Sequence, residues 1–292
     1  MSHTKLTSHQ RGVLFIVLSA FCFSCMNVCV RLAGEIPTIQ KSFFRNAVAL
    51  LIAVGVLLRE GTGFRPEHRE NWPCFLARAV FGTLGLLGNF YAVDHLLLSD
   101  ASMLNKMSPF FAVIVSFLLL KERLNLVQGL SLIGAFAGAM CIVKPGLTNL
   151  DLVPSLIGLL GGFCAGTAYT LVRLLGQRGE RNAFIVFVFS GFSCLAALPF
   201  LLFDPAPMTA GQIAALLGAG LFAAGGQFSV TAAYCNAPAR EISVFDYSQV
   251  LFGAALGFFL FGDVPDALSL AGYVLICSMA LWTFWYNNRR GK

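Results

Sequence analysis

The stretch Ala101–Leu120, ASMLNKMSPFFAVIVSFLLL, is long enough to cross a lipid bilayer as a single helix. However, Asn105 and Lys106 lie inside it, and polar groups within hydrocarbon usually face a bundle interior or a water-filled cavity. Pro109 follows the lysine by three residues and lacks a backbone N–H, which predicts a kink or an opening of the helix at this point. We interpret this helix as one wall of a solute pathway.

Composition places the whole chain in a membrane. Of its 292 residues, 57% are hydrophobic and only 12% are charged, about half the charged fraction of a soluble domain. The formal net charge of +6 is explained by basic cytoplasmic loops, so no nucleic-acid partner is expected. The nine cysteines are odd in number and lie mostly in apolar segments. They indicate small buried residues, without a disulfide framework, metal or cofactor.

About ten apolar segments have the length that a membrane-spanning helix needs. Their approximate limits are 12–33, 39–58, 74–94, 101–120, 126–144, 154–175, 182–203, 211–234, 241–262 and 266–286. If the N-terminus is cytoplasmic, the outer loops receive only Arg31, Lys41 and Lys144 among the loop Lys and Arg residues. This bias predicts that both termini are cytoplasmic, in a bacterial inner (plasma) membrane.

The chain contains an internal repeat. Residues 20–34 align without gaps to residues 162–176, and nearly the same offset aligns Gly85 with Gly226 and pairs Ser102 with Ser243. Two halves follow, roughly 1–147 and 148–292, with five helices each. Because five is odd, the second half enters the membrane from the opposite side. The predicted fold is therefore an all-α membrane protein of ten helices in two inverted five-helix repeats, which is an architecture of secondary transporters.

The fourth predicted helix runs through Ser108-Pro109-Phe110 into Leu120-Lys121-Glu122-Arg123. With ten helices in two halves, this pattern resembles the EamA branch of the drug/metabolite transporter superfamily over essentially the whole chain. The second half departs from it, since Val250 replaces the proline and Gly262-Asp263-Val264 replaces Lys-Glu-Arg. The resemblance implies a central substrate cavity and alternating access. It leaves the solute open among amino acids, sugars, nucleotide-like metabolites, vitamins and drugs.

Lys106 and Arg45 are the first candidates for solute binding. As a point charge inside the membrane, Lys106 can bind a carboxylate or a phosphate. Together with Arg31 and Lys41, Arg45 makes the outer vestibule cationic. The alternative is a structural ion pair of Asp94 with Lys106 or Arg45, and the sequence favours neither. We assign Asp94 and Pro109 to this ion pair and to gating, and Arg78 to an anchor at the membrane interface.

The repeat gives Asn105 and Lys106 counterparts in the second half. Asp246 corresponds to Asn105, and Tyr247 corresponds to Lys106. In an inverted repeat both counterparts lie on the inner side of the same cavity. There Asp246 can bind an amine or carry a coupling proton. Five further polar side chains on helices one, three, six and eight either contact the solute or bond neighbouring helices: Asn27, Asn89, Tyr91, Tyr169 and Gln227.

These features favour a secondary transporter for a small zwitterionic or anionic, amino-acid-like metabolite. Two alternatives stay open: an uptake carrier for a larger nucleoside- or vitamin-like metabolite, of the S-adenosylmethionine or riboflavin type, and a lipid-carrier flippase. An enzyme is not expected, because the chain has neither H-E-x-x-H nor G-x-S-x-G, and a P-loop is missing too. The expected partners are the solute and the bilayer, with a coupling proton as an option, and the expected state is a monomer or homodimer.

Overall fold

The computed structural model describes residues 8–61, 63–120, 126–143, 152–236 and 243–290. Over these ranges the chain is helical and contains no strand. The α-helices are α1 (Ser8–Leu32), α2 (Thr38–Glu60), α3 (Trp72–His95), α4 (Leu98–Asn105), α5 (Ser108–Leu120), α6 (Leu126–Val143), α7 (Leu152–Gln177), α8 (Asn182–Phe203), α9 (Ala210–Asn236), α10 (Ser248–Phe261) and α11 (Ala267–Arg290). Short 3₁₀ turns, Arg69–Asn71 and Ser243–Tyr247, precede α3 and α10.

Seven of these helices are long and apolar enough to cross a membrane: α1, α2, α3, α7, α8, α9 and α11. Shorter apolar helices correspond to α6 and to α10 with its preceding turn. The remaining predicted span is divided between α4 and α5. The predicted all-helical, two-repeat fold is confirmed, whereas the count of ten complete crossings stays a prediction.

The predicted opening at Pro109 is confirmed. α4 ends at Asn105, a turn contains Lys106 and Met107, and α5 restarts with proline as its second residue. The amide of Met107 bonds the carbonyl of Leu104 at 3.2 Å, so the helical ladder tightens before it stops. Proline is tolerated there because the first turn of a helix needs no donor. The charged sequence Lys121-Glu122-Arg123 lies outside the described residues.

Helix packing follows the internal repeat. α1 packs along α9, and α3 packs along α7. Since α7 is the counterpart of α1 and α9 is the counterpart of α3, a pseudo-two-fold operation exchanges these two pairs. Matching contacts support it: a Cβ on Gly226 would lie 2.7 Å from the ring of Phe23, and one on Gly85 would lie 3.0 Å from the amide of Ala165. These small residues let the helices approach closely.

The contacts also show that the repeats are inverted. α1 and α9 run antiparallel, because Ser19 bonds Gly226 while Ala33, at the other end of α1, bonds Gln212. α3 and α7 are antiparallel in the same way, and α3 runs in the direction of α1. α7 therefore runs opposite to α1, its counterpart in the first half. One face, called here the N-terminal face, carries residues 63–71 and 178–181, and the opposite face carries residues 204–209 and 262–266.

Glu180 joins the two halves at the N-terminal face. Its carboxylate accepts hydrogen bonds from the backbone amides of Glu67 and His68 and from Asn71 Nδ2. Burial raises the pKa of this carboxyl, but the three hydrogen bonds outweigh it and leave the pKa below its ordinary value. The side chain of Arg178 donates to Asn71 from the same loop. The ionised form of Glu180 is thus the form that stabilises this face.

The substitution of Gly166 on α7 by alanine, which adds one methyl group, tests the close packing at the helix break. A Cβ on Gly166 would lie 2.4 Å from the carbonyl oxygen of Ser108, a backbone atom that cannot move aside easily. We expect Gly166→Ala to destabilise the protein by about 1–3 kcal/mol through overpacking. Gly176→Ala on the same helix, which meets nothing within 4 Å, is the control. Thermal unfolding in detergent measures both, and equal behaviour would contradict the packing.

A second test uses the pH dependence of stability at Glu180. A lowered folded-state pKa gives stability that is complete above the unfolded value, about pH 4.3, and that is lost as the pH falls through the folded value. At pH 7, Glu180→Gln is therefore expected to unfold at a lower temperature than the wild type. Thermal unfolding between pH 7 and strongly acidic pH should show this gap narrowing on acidification. A gap that widens would show that the ionised carboxylate is not the stabilising form.

Candidate functional site

A polar cavity lies between the two halves, near the helix break. The centres of water-sized molecules can occupy about 70 Å³ of it, and it is partly open to solvent. α2 contributes Arg45, α3 contributes Arg78 and Asn89, and the end of α4 contributes Asn105. The second half supplies Tyr169 from α7, Phe189 from α8, Gln227 from α9 and Gln249 from α10. A small metabolite needs more room than this, so binding requires the cavity to widen.

Arg45 and Arg78 are the dominant charges of the cavity, and each is only 3% exposed. Both guanidinium groups lie over the ring of Phe189, with centroid distances of 5.6 and 4.2 Å. Arg45 also donates from Nη1 to Asn46 Oδ1. Its Nε, together with Nε and Nη1 of Arg78, has no hydrogen-bond partner. Within the described ranges, no carboxylate forms a salt bridge with either arginine.

Gly82 makes room for this arrangement. An ideal Cβ at that position would lie 1.9 Å from Nη1 of Arg78 and 2.8 Å from the ring of Phe189. Any larger residue would therefore push the guanidinium out of the place where it stacks. Arg78 points into the cavity and lies along its own helix, because Gly82, one turn later, has no side chain in its way.

Neutral polar groups complete the cavity wall. Asn89 donates from Nδ2 to Asn27 Oδ1 at 3.1 Å. This leaves Nδ2 of Asn27 and Oδ1 of Asn89 without hydrogen-bond partners, although both atoms are buried. A free acceptor, on Asn89, is thus available at the cavity wall, and a free donor, on Asn27, lies next to it. A buried polar atom without a partner is costly, so both favour a polar ligand.

Lys106 and Asp246 form a buried salt bridge beside the cavity. The distance between Lys106 Nζ and Asp246 Oδ2 is 2.6 Å, and the two residues are 3% and 5% exposed. Lys106 lies in the break between α4 and α5, and Asp246 lies in the 3₁₀ turn before α10, with Tyr247 buried next to it. The break of the first repeat and the 3₁₀ turn of the second therefore meet at these charges, which the repeat had placed at neighbouring mirror positions.

Asp94 does not form the structural ion pair with Lys106 or Arg45 that the sequence had left open. Asp94, at the end of α3, instead bonds Lys41 Nζ at 2.5 Å. The eight residues of α4 separate the two regions, and at 1.5 Å per residue they span about 12 Å. Lys106 is therefore too deep to reach Asp94, and the acidic group at its own depth comes from the second repeat.

Only some of the residues that the sequence predicted for the site line the cavity. Five predicted residues line the cavity: Arg45, Asn89, Asn105, Tyr169 and Gln227. Asn27 supports it through Asn89, whereas Tyr91 stacks on His95 at 4.2 Å and lies outside it. Arg31 pairs with Asp263, which also accepts the amide of Leu98, so Arg31 and Lys41 are both neutralised at the opposite face.

Arg78 does not anchor at the membrane interface, as the sequence had suggested, but lies buried in the cavity. Phe189 and Gln249 were missed as well. The one sequence signal for Arg78 was the run of glycines at positions 82, 85 and 88, which lets a long side chain fold inward. For Phe189 the sequence holds no signal, because the chain has 28 phenylalanines.

The sequence profile of the EamA-like transporter family matches residues 10–144 and again residues 153–285. The pseudopaline exporter CntI of Pseudomonas aeruginosa is 36% identical over 269 residues, which cover 91% of this chain and 93% of that protein. A riboflavin transporter of Vibrio cholerae is 25% identical over 290 residues, which cover 96% and 95%. A solved crystal structure superposes with a TM-score of 0.68 at 16% identity, covering 96% of this chain and 99% of that one, a likeness of fold alone.

A double-mutant cycle tests the salt bridge at the helix breaks. Lys106→Met or Asp246→Leu alone leaves one buried charge without a partner, and each is expected to destabilise the protein by about 3–5 kcal/mol. The double variant should be more stable than either single variant, because both charges are gone. Thermal unfolding in detergent measures the cycle.

The control for this cycle is the pair of Arg181 with Glu67, whose acidic side chain is 46% exposed. Removing that pair should change stability by at most about 1 kcal/mol. If the losses of Lys106→Met and Asp246→Leu simply added in the double variant, the two side chains would not stabilise each other.

Proposed function

The chain belongs to the EamA-like transporter family of the drug/metabolite transporter superfamily, and we propose that it is a secondary transporter for a small anionic or zwitterionic organic metabolite. It is a multi-span membrane transporter rather than an enzyme. In our proposal it resides in a bacterial inner membrane with both termini cytoplasmic. The single observation that carries the proposed substrate charge is the cavity with Arg45 and Arg78, two buried cations that have no carboxylate partner in the part of the chain that the structure describes.

The physical argument starts from the cost of burying charge. A guanidinium taken out of water without a counterion loses several kcal/mol of solvation. Stacking over Phe189 recovers a part, since a cation–π contact is worth about 0.5–2 kcal/mol. The remaining penalty is relieved when an anion enters and accepts the free N–H groups of Arg45 and Arg78. The cavity therefore favours anionic solutes over neutral and cationic ones.

In the proposed mechanism, the two repeats, roughly residues 1–147 and 148–292, rock around this cavity. Polar links join the halves on both sides of it: Glu180 and Arg181 join them at the N-terminal face, and Arg31 with Asp263 joins them at the opposite face. Opening one side requires one set of links to break while the other holds. The salt bridge of Lys106 with Asp246, at the meeting point of two discontinuous segments, is the proposed pivot, since such segments form the substrate sites of inverted-repeat transporters.

Among the alternatives, a vitamin carrier has one supporting observation. Several relatives are named riboflavin transporters, at 25–28% identity. The two uncompensated arginines favour an anionic solute over such a ligand. The exporter relative is more similar, at 36% identity, and this favours export as the direction of transport.

Solute counterflow in liposomes tests the proposal. Purified protein is reconstituted, and organic acids, amino acids, nucleosides and riboflavin are screened by thermal shift, because a ligand that binds the folded state raises its apparent stability. Each hit is then tested for accumulation of labelled solute against an internal unlabelled pool, which requires a site exposed to each side in turn. We expect anionic or zwitterionic hits and at least tenfold slower counterflow in Arg45→Gln.

Arg59→Gln is the matched control for the counterflow assay. Arg59 lies on the same helix as Arg45, but it is exposed at the end of α2, and this variant should transport like the wild type. A hit limited to riboflavin or to lipid carriers, with counterflow unaffected by Arg45→Gln, would overturn the proposed substrate charge.

A further inference from the structure

The buried and half-buried cations of the helical core fall into two groups. In the first group each cation has a carboxylate partner: Arg31 has Asp263, Lys41 has Asp94 and Lys106 has Asp246. Arg45 and Arg78 form the second group, and over the described ranges no carboxylate lies within 4.0 Å of either. The cavity itself therefore carries an excess of two positive charges, because its other lining residues are neutral amides, a tyrosine and apolar groups.

Each of the two arginines offers its own unsatisfied donors. Arg45 has a free Nε, while its Nη1 is used by Asn46. Arg78 has both Nε and Nη1 free. A guanidinium presents its N–H groups as a planar fork that fits one carboxylate through two parallel hydrogen bonds. One carboxylate would leave the second charge buried and unpaired, whereas two carboxylates would neutralise the site.

The rest of the cavity suits the body of such a solute. The free donor on Asn27 belongs to α1, and the free acceptor on Asn89 belongs to α3, the helix that also carries Arg78. Tyr169, Gln227 and Gln249 line the cavity from the second half. These groups bond hydroxyl, amino or amide substituents, so a polar chain between the two acidic ends is accommodated.

We propose that the transported solute is a dicarboxylate, held with one carboxylate on Arg45 and the other on Arg78. This inference rests on the proposed function and narrows its substrate class from anionic or zwitterionic to doubly anionic. Gly82 is a positioning residue in this arrangement, because its missing side chain is what allows Arg78 to stack over Phe189.

The test compares diacids with their monoamides, which have nearly the same size and one charge fewer. Succinate, glutarate and adipate are titrated against succinamate, glutaramate and adipamate, with isothermal calorimetry or thermal shift on the purified protein. At least one diacid should bind tenfold or more tightly than its monoamide. Arg45→Gln and Arg78→Gln should each abolish this preference, and Arg59→Gln should keep it.

Two further measurements separate loss of binding from loss of folding. Without ligand, Arg45→Gln and Arg78→Gln should unfold at a higher temperature than the wild type, since each removes an uncompensated buried charge. Gly82→Ala should lose the diacid preference as Arg78→Gln does, with the fold retained, because the displaced atom is the end of a flexible side chain. Gly55→Ala, which meets nothing within 4 Å, should bind like the wild type.

The outcomes distinguish this inference from the proposed function. If no diacid in the series binds more tightly than its monoamide, or if inorganic phosphate competes better than every diacid, the dicarboxylate assignment is wrong. The proposed function survives that result when another anionic or zwitterionic solute shows Arg45-dependent counterflow. If no anionic or zwitterionic solute shows counterflow at all, both proposals fail.

Discussion

Two buried positive charges, to which the described residues offer no counterion, are the constraint on which the central part of this protein depends. Neither Arg45 nor Arg78 can reach water by extending along a helix, because both are buried between the halves. The surrounding chain therefore compensates by other means. Phe189 presents its ring to both guanidinium groups, Asn46 accepts from one, and Gly82 leaves space for the other. All three stabilise the cations without neutralising them.

The inverted repeat explains where the remaining buried charges lie. Because the repeats cross in opposite directions, the break of the first half and the 3₁₀ turn of the second arrive at the same depth. Lys106 of the break therefore meets Asp246 of the turn, although 140 positions separate them. Backbone groups exposed at a helix break are satisfied most easily where they line a polar cavity. The cavity and the salt bridge beside it thus come from one symmetry.

Much of the fold could be predicted from the sequence, because composition, segment length and the repeat offset depend on the chain alone. Asn105, Lys106 and Pro109 indicated the helix break for the same reason: their chemistry conflicts with a continuous lipid-facing helix. The ion-pair partners of the charged residues were harder to predict. That Lys106 pairs with Asp246 rather than Asp94 depends on the relative depth of two helices, and segment boundaries uncertain by a few residues cannot resolve it.

Arg78 shows a different limit. A basic residue six positions after the start of α3 fits an interface anchor equally well, since a long side chain can extend to the surface or fold inward. The choice depends on Gly82 and on a ring from α8, and only packing brings that ring close. The pairing of the buried cations also bears on function. Among the described residues, carboxylates pair with Arg31, Lys41 and Lys106, yet none pairs with the two cations of the cavity. A resident carboxylate would remove the penalty of burial and, with it, the reason for an anion to enter.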